Sequence, residues 1–218
     1  MEIISMRWDR ALVISSHTDD AEISMGGTIS KLLDHDVEIF HHVLSSAGES
    51  IIKLGYDIDK LKKESKEANK VLGIENYSIW DGVNVQFFNK KRQEIANYLY
   101  SLKKDIAPDV VFVHSSYDTH QDHQVTHNEA VRIFKDIGVL GYEFPYNNLK
   151  FSYDLIIGLD QIHVDKKMKA MECFRSQKDI RSYFKPTIVY GTLQANAARI
   201  NLRSPYAEAF EVVRLTWV

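Results

Sequence analysis

Two short apolar runs, ALVIS at 11–15 and the VVFV of DVVFVH (109–114), constrain the fold of this chain more than any other feature. They are rich in β-branched residues and carry no alternating polar positions, so they read as strands covered on both faces. Stretches of helical length separate them. MGGTISKLLDHD (25–36) is one, and a second runs over roughly 57–72 and stops at Gly73. A third, QEIANYLYSLKKD (93–105), is followed by a break at Pro108. VEIFHHVL (37–44) and YSIW (77–80) add strand candidates between the helices. Strand and helix in alternation imply right-handed crossovers, and therefore an α/β chain with a mainly parallel sheet and helices on both sides.

Beyond about 140 the pattern loosens. GYEFPYNN and FSYDLIIGL suggest turns and strands, VDKKMKAMECFRSQ (164–177) a helix and EAFEVVRLTWV (208–218) a closing strand. The aromatic-rich stretch at 142–153 reads as a lid, a contact surface or ordinary packing. With no internal repeat or linker, 1–218 is expected to be one domain. At 44% hydrophobic and 26% charged, the chain can bury a sizeable core.

Composition also narrows the partners. Net charge is −3, and the lysines of 60–70 alternate with acids as on a solvated helix face, which argues against nucleic acid or an anionic membrane. Cys173 is the single cysteine and reads as core, so no internal disulfide is expected. No apolar run approaches the ~18 residues of a membrane span, and there is no leader pattern. The expectation is a soluble, cytoplasmic protein.

Ligands of parallel sheets bind beyond the carboxyl ends of the strands. The first apolar run ends in SSHTDDAEI (15–23), the later one in HSSYDTHQDHQVTH (114–127). Two adjacent acids at a strand end are costly to bring out of water without a positive partner, which a divalent metal would supply. His17, Asp20 and His123 would give two imidazoles and one carboxylate, leaving a fourth position open on zinc.

HTDDAE followed by GGTI, then DTHQDH about a hundred residues on, resembles the LmbE-like or PIG-L family of zinc-dependent de-N-acetylases. Its motifs are written H-P-D-D-x-E and H-x-D-H. The resemblance extends through SAGES (46–50), the E-x-x-x-A helix ending in LGI (72–74), DG at 81–82, the K-x-x-A-M helix running into Ser176 and Gln177, and YAEAFEVVR (206–214). It implies a Rossmann-like three-layer α/β/α fold. It also implies His17, Asp20 and His123 as metal ligands, Asp19 as general base, His120 as the histidine that stabilises the tetrahedral intermediate, and Asp122 as the acid that orients His120.

The reaction so implied is removal of an N-acetyl group from an amino sugar, its glycoconjugate or a sugar nucleotide. One Zn2+ per chain, or another divalent metal, lowers the pKa of a water, and Asp19 takes its proton. A protonated His120 then shares the charge developing on oxygen, and either Asp19 or His120 protonates the departing amine. Homo-oligomers are compatible with the resemblance. Rival readings are a deformylase or amidase acting on another small N-acyl metabolite, and a non-catalytic carbohydrate-binding module of the same fold.

The chain departs from the family in places. Thr18 stands where the motif has proline, and the family's glycine-rich segment appears as LQANAARINLR. A substrate-contacting arginine is expected in the helix before LGI, where the nearest basic residues are Lys62 and Lys63; Lys62 is taken as the substrate-binding candidate. Glu22, at the start of a helix, is read as structural or as a contact to the sugar. His127 follows His123 by one helical turn and has zinc-binding spacing but lies outside the ligand set. His35, His41, His42 and His163 read as surface or packed. MGGT matches no phosphate-binding fingerprint, and Ser15 and Ser16 lack the G-x-S-x-G setting of a nucleophile.

Overall fold

The structure is a computed structural model that describes residues 8–215. Its first half runs β1 (Arg10–Ser15), α1 (Asp20–Asp34), β2 (Glu38–Val43), α2 (Gly48–Ile52), α3 (Lys60–Leu72), β3 (Asn76–Ile79), α4 (Arg92–Ile106), β4 (Val110–His114) and α5 (Gln121–Ile133). It continues with β5 (Gly138–Tyr142), β6 (Leu155–Leu159), α6 (Gln161–Glu172), α7 (Arg175–Lys178), α8 (Pro186–Arg199) and β7 (Tyr206–Arg214). The strands form one sheet in the order β3-β2-β1-β4-β5-β7-β6. The first five are parallel, and β7 runs antiparallel to both β5 and β6.

The sequence expectation of an α/β fold with a mainly parallel sheet therefore holds. Alternate residues of β1 feed opposite faces, as the strand period requires. Ala11 and Val13 join a core with Ile29 of α1, Leu72 of α3 and Met171 of α6, whereas Leu12 and Ile14 join Ile95 and Leu99 of α4 and Phe134 beyond α5. All four β1 residues are fully buried, which is why the run shows no polar alternation.

Several elements differ from the sequence reading. Helix α1 begins at Asp20, not at Met25; the expected start falls on a kink, where Met25 leaves helical geometry (φ −140, ψ 21). The kink frees backbone groups in the interior, and two buried charges take them up. Glu208 of β7 accepts from the N–H groups of Gly27 (3.1 Å) and Thr28 (2.6 Å), while Lys167 of α6 donates to the Ile23 carbonyl (2.5 Å) and to Glu208 (2.6 Å). Gly27 permits the approach, since a Cβ there would run into Leu159 and press on Glu208.

Helix α8 occupies a segment in which no helix was expected. Its β-branched start and internal Gly191 hide the signal, although Pro186 sits in the first turn, where proline suits a helix. Strand β5 and the inner position of β7 were also not anticipated. The closing strand starts at Tyr206, and the expected final residues 216–218 lie outside the described residues.

Candidate active site

Strands β1 and β4 lie side by side at the point where strand order reverses direction, so the loops after them open a crevice between neighbours about a hundred residues apart in sequence. The loop after β1 brings His17 and Asp19 and the start of α1 brings Asp20; the loop after β4 brings Asp118 and His120 and the first turn of α5 brings Asp122 and His123. His17, Asp19, Asp20, His120 and His123 line one cleft of about 300 Å³, whose wall also includes Gln86, Phe144, Tyr146, Gln177, Arg181 and Tyr183.

The hydrogen bonds fix how the imidazoles face. His123 Nδ1 lies 2.7 Å from Asp118 Oδ2, so this nitrogen carries the proton and Nε2 keeps a bare lone pair. His17 Nε2 lies 3.2 Å from Asp122 Oδ2, which leaves its Nδ1 bare. The two bare nitrogens are 3.2 Å apart. Asp20 completes the group, with Oδ1 3.5 Å from His123 Nε2 and Oδ2 3.8 Å from His17 Nδ1. Three ligands on a tetrahedral zinc at ~2.0–2.1 Å would stand roughly 3.3 Å from one another. The donor set thus fits a small divalent cation in chemistry, and the separation of the two imidazole nitrogens fits it in spacing.

Ligand-type atoms also converge in two overlapping groups, His17 with His120 and His123, and Asp20 with His114 and His123. His114, the last residue of β4, is fully buried. It stacks on His123 at 3.6 Å between centroids, with Nε2 3.2 Å from Asp20 Oδ2. It lies beside Asp20 outside the cleft lining, and its Nε2 accepts from the Ser16 N–H (3.2 Å). Neither His114 nor Asp118 was singled out from the sequence; the acid two residues before His120 in DTHQDH was the available signal for Asp118.

The electrostatics separate the two adjacent acids. Burial would raise Asp20, but its interactions with the His123 and His114 imidazoles hold it well below the ordinary carboxylate range. Asp19, the residue before α1, makes no capping hydrogen bond. Burial, followed by the neighbouring charge of Asp20, pushes its carboxyl up to about 7, against smaller opposing contributions that include the guanidinium of Arg181. For His17 burial is opposed by the Asp122 hydrogen bond and the Asp20 charge, and the net shift is upward. Burial and then the charge of His114 lower His123 to about 4.

Two expected roles change. Asp122 was expected to orient the His120 ring, yet its carboxylate faces His17 and accepts from the Gln86 N–H (2.8 Å). What holds His120 is the Asp122 backbone N–H, which donates to Nδ1 at 3.2 Å. His120 was expected to be protonated. Burial, then the charge of His17, lowers its basicity, and the bond at Nδ1 selects the neutral tautomer with the proton on Nε2.

Other expectations are also resolved by position. Glu22 does not reach the cleft: it is fully buried, Oε1 accepts from Asn69 Nδ2 at 2.7 Å, Oε2 has no partner, and burial raises it well above the ordinary range. Its reading as a sugar contact is therefore withdrawn. Lys62 lies on an adjoining groove and is tied to Asp81 Oδ2 at 2.8 Å. His127 faces away, with Nδ1 2.8 Å from the His114 carbonyl. The aromatic-rich stretch contributes Phe144, Tyr146 and Asn147 to the cleft wall and packs on the loop after β4, where Asn148 Nδ2 donates to Ser115 Oγ at 2.8 Å.

Comparison with known proteins adds the family. A curated relative from Escherichia coli (strain K12), described as the uncharacterized deacetylase YaiS, is 24% identical over 175 residues, covering 76% of this chain and 90% of that protein. The fold is similar to the N,N'-diacetylchitobiose deacetylase from Pyrococcus horikoshii (TM-score 0.75, 20% identity, 94% of this chain and 84% of that one). It is also similar to the zinc-inhibited form of the teicoplanin deacetylase Orf2 (TM-score 0.74, 16% identity, 92% and 96%). At those identities the structural likeness establishes the fold alone. The family profile for PIG-L, GlcNAc-PI de-N-acetylase, matches residues 12–134, more than half of the chain and the stretch that carries both acidic loops. The chain is thus a de-N-acetylase hydrolase and belongs to the PIG-L family.

Proposed function

We propose that this protein is a zinc-dependent hydrolase that removes the N-acetyl group of an N-acetylated amino sugar or its conjugate. The observation that carries the reading is the convergence of three proton-free donors, His17 Nδ1, His123 Nε2 and an Asp20 carboxylate oxygen, beside an Asp19 carboxyl that makes no capping hydrogen bond to α1. When bound by those three residues, a divalent cation lowers the pKa of water and polarises an amide carbonyl.

The remaining steps fall to the chain's own side chains. Asp19 accepts the proton of the attacking water, for which its raised pKa is suited near neutral pH. His120 offers its Nε2–H to the amide oxygen as charge develops there, a donor already fixed in place by the Asp122 N–H. Asp19 then passes the proton to the departing nitrogen, releasing acetate and a free amine. Asp118 and Asp122 keep the two ligand imidazoles in the tautomers that present lone pairs.

A sugar as substrate is supported by the aromatic and amide-bearing wall of the cleft, and by the substrates in the names of the two structural neighbours. Lys62, on the adjoining groove, would meet only a substrate that extends beyond its first ring. The decisive experiment compares Asp19→Asn with the parent for zinc content and for acetate released from N-acetylglucosamine derivatives. The variant should keep its zinc and lose roughly 10²–10⁴-fold in turnover. Turnover equal to the parent would remove the mechanism.

A further inference from the structure

Among the described residues lining the catalytic cleft, Arg181 is the single lysine or arginine. Several arginines elsewhere are committed: Arg92 and Arg132 to Glu129, Arg175 to Glu67. Arg181 makes no ion pair or side-chain hydrogen bond with another described residue, Asp19 included. Its backbone is nonetheless anchored, the N–H donating to the Gln177 carbonyl (2.9 Å) and the carbonyl accepting from the Phe184 N–H (3.1 Å). The base is held, and the guanidinium lies close enough to Asp19 and Tyr183 to act on them through its charge while no hydrogen bond from it to another described residue is formed.

Next to it stands an aromatic wall. The rings of Tyr146 and Tyr183 are 5.3 Å apart at 54°, and Tyr146 is 65% exposed, although a tyrosine ordinarily covers much of its ring. An open ring beside an unpaired guanidinium suits a ligand with an apolar face and a negative substituent, since a planar five-donor fork matches phosphate or carboxylate.

We propose that Arg181 is a specificity-determining residue that receives a phosphate or carboxylate carried by the amino sugar, whose ring lies against Tyr146 and Tyr183. The substrate class is thereby narrowed to anionic N-acyl amino sugars. This inference rests on the amino-sugar reading above and adds to it.

The test uses product-type ligands, so that binding does not depend on turnover. Calorimetric titration of the full chain with glucosamine, glucosamine 1-phosphate, glucosamine 6-phosphate and muramic acid compares a neutral sugar with two phosphates and a carboxylate. At least one charged sugar should bind about tenfold or more tightly than glucosamine, and which one it is distinguishes phosphate from carboxylate. The advantage should fall below about twofold in Arg181→Gln, persist in part in Arg181→Lys, and shrink as salt is raised. Arg181 is exposed, so these variants should fold. No charged sugar binding more tightly than glucosamine, or an advantage that survives Arg181→Gln, overturns the proposal. Acetate release from the N-acetyl forms is scored separately. Release without anion preference defeats the role of Arg181 alone, whereas anion preference without release defeats the hydrolase reading and leaves Arg181 standing.

Discussion

Asp118 and Asp122 show what single residues contribute here: neither need touch a substrate, yet each decides which nitrogen of a histidine is free. Removing such a support typically costs about 10–100-fold in metal affinity. Asp118→Asn should therefore loosen zinc by that factor, measured by competition with a coloured chelator, while circular dichroism stays at the parental signal. The proposed ligands were legible because HTDDAE and HQDH carry their chemistry in adjacent letters, and the structure brings these residues together. Asp118 and His114 were not, since their contribution lies in where a side chain points across the loop. Asp122 was found for its type and misassigned in its contact, because sequence spacing cannot show that its carboxylate turns toward His17 while only its N–H reaches His120.

At the scale of elements, buried polar pairings govern how helices seat on the sheet. Lys167 and Glu208, both about 2% exposed, join α6, β7 and the kinked α1 through one ion pair. Lys167→Met leaves the Glu208 charge buried without its cation and should cost about 3–5 kcal/mol in urea unfolding. A second pairing lies behind the cleft. His41 of β2 accepts from Ser15 Oγ at Nε2 (2.9 Å) and donates from Nδ1 to Asn69 Oδ1 (2.7 Å), and Asn69 in turn holds Glu22. Burial pushes His41 down to about 4, so the folded state keeps it neutral while the unfolded chain binds a proton below about 6.5. The His41 contribution should therefore be constant above pH 6.5 and fall by about 3 kcal/mol as pH drops to 4, read as the difference between parent and His41→Gln in denaturant titrations across that range. Periodicity exposed most of the strands and α3, but it missed α8 and the start of α1, where tertiary partners override local preference.

For the whole molecule, the parallel half was readable because buried strands need continuous apolar runs. The antiparallel end was not, since β7 could be placed between β5 and β6 only by knowing what each strand pairs with. The site depends on the parallel half, where the proposed ligands join the ends of two strands that are neighbours only in the folded state. A bound cation should consequently stabilise the entire fold, by about 4 kcal/mol when free metal exceeds its dissociation constant a thousandfold. Thermal melts with and without a chelator should differ in midpoint, and Asp20→Ala should abolish the difference.

The place of β7 has a further consequence for biosynthesis. Because it follows every other described strand in sequence and yet is an interior one, a nascent chain interrupted before Tyr206 leaves β5 with an open edge, β6 with no described neighbour and Lys167 without Glu208. Such a chain would present two sticky borders to its surroundings, so ribosome-stalled forms or forms clipped before Tyr206 should be substrates for chaperones and proteases even though every side chain of the proposed metal site has already been made.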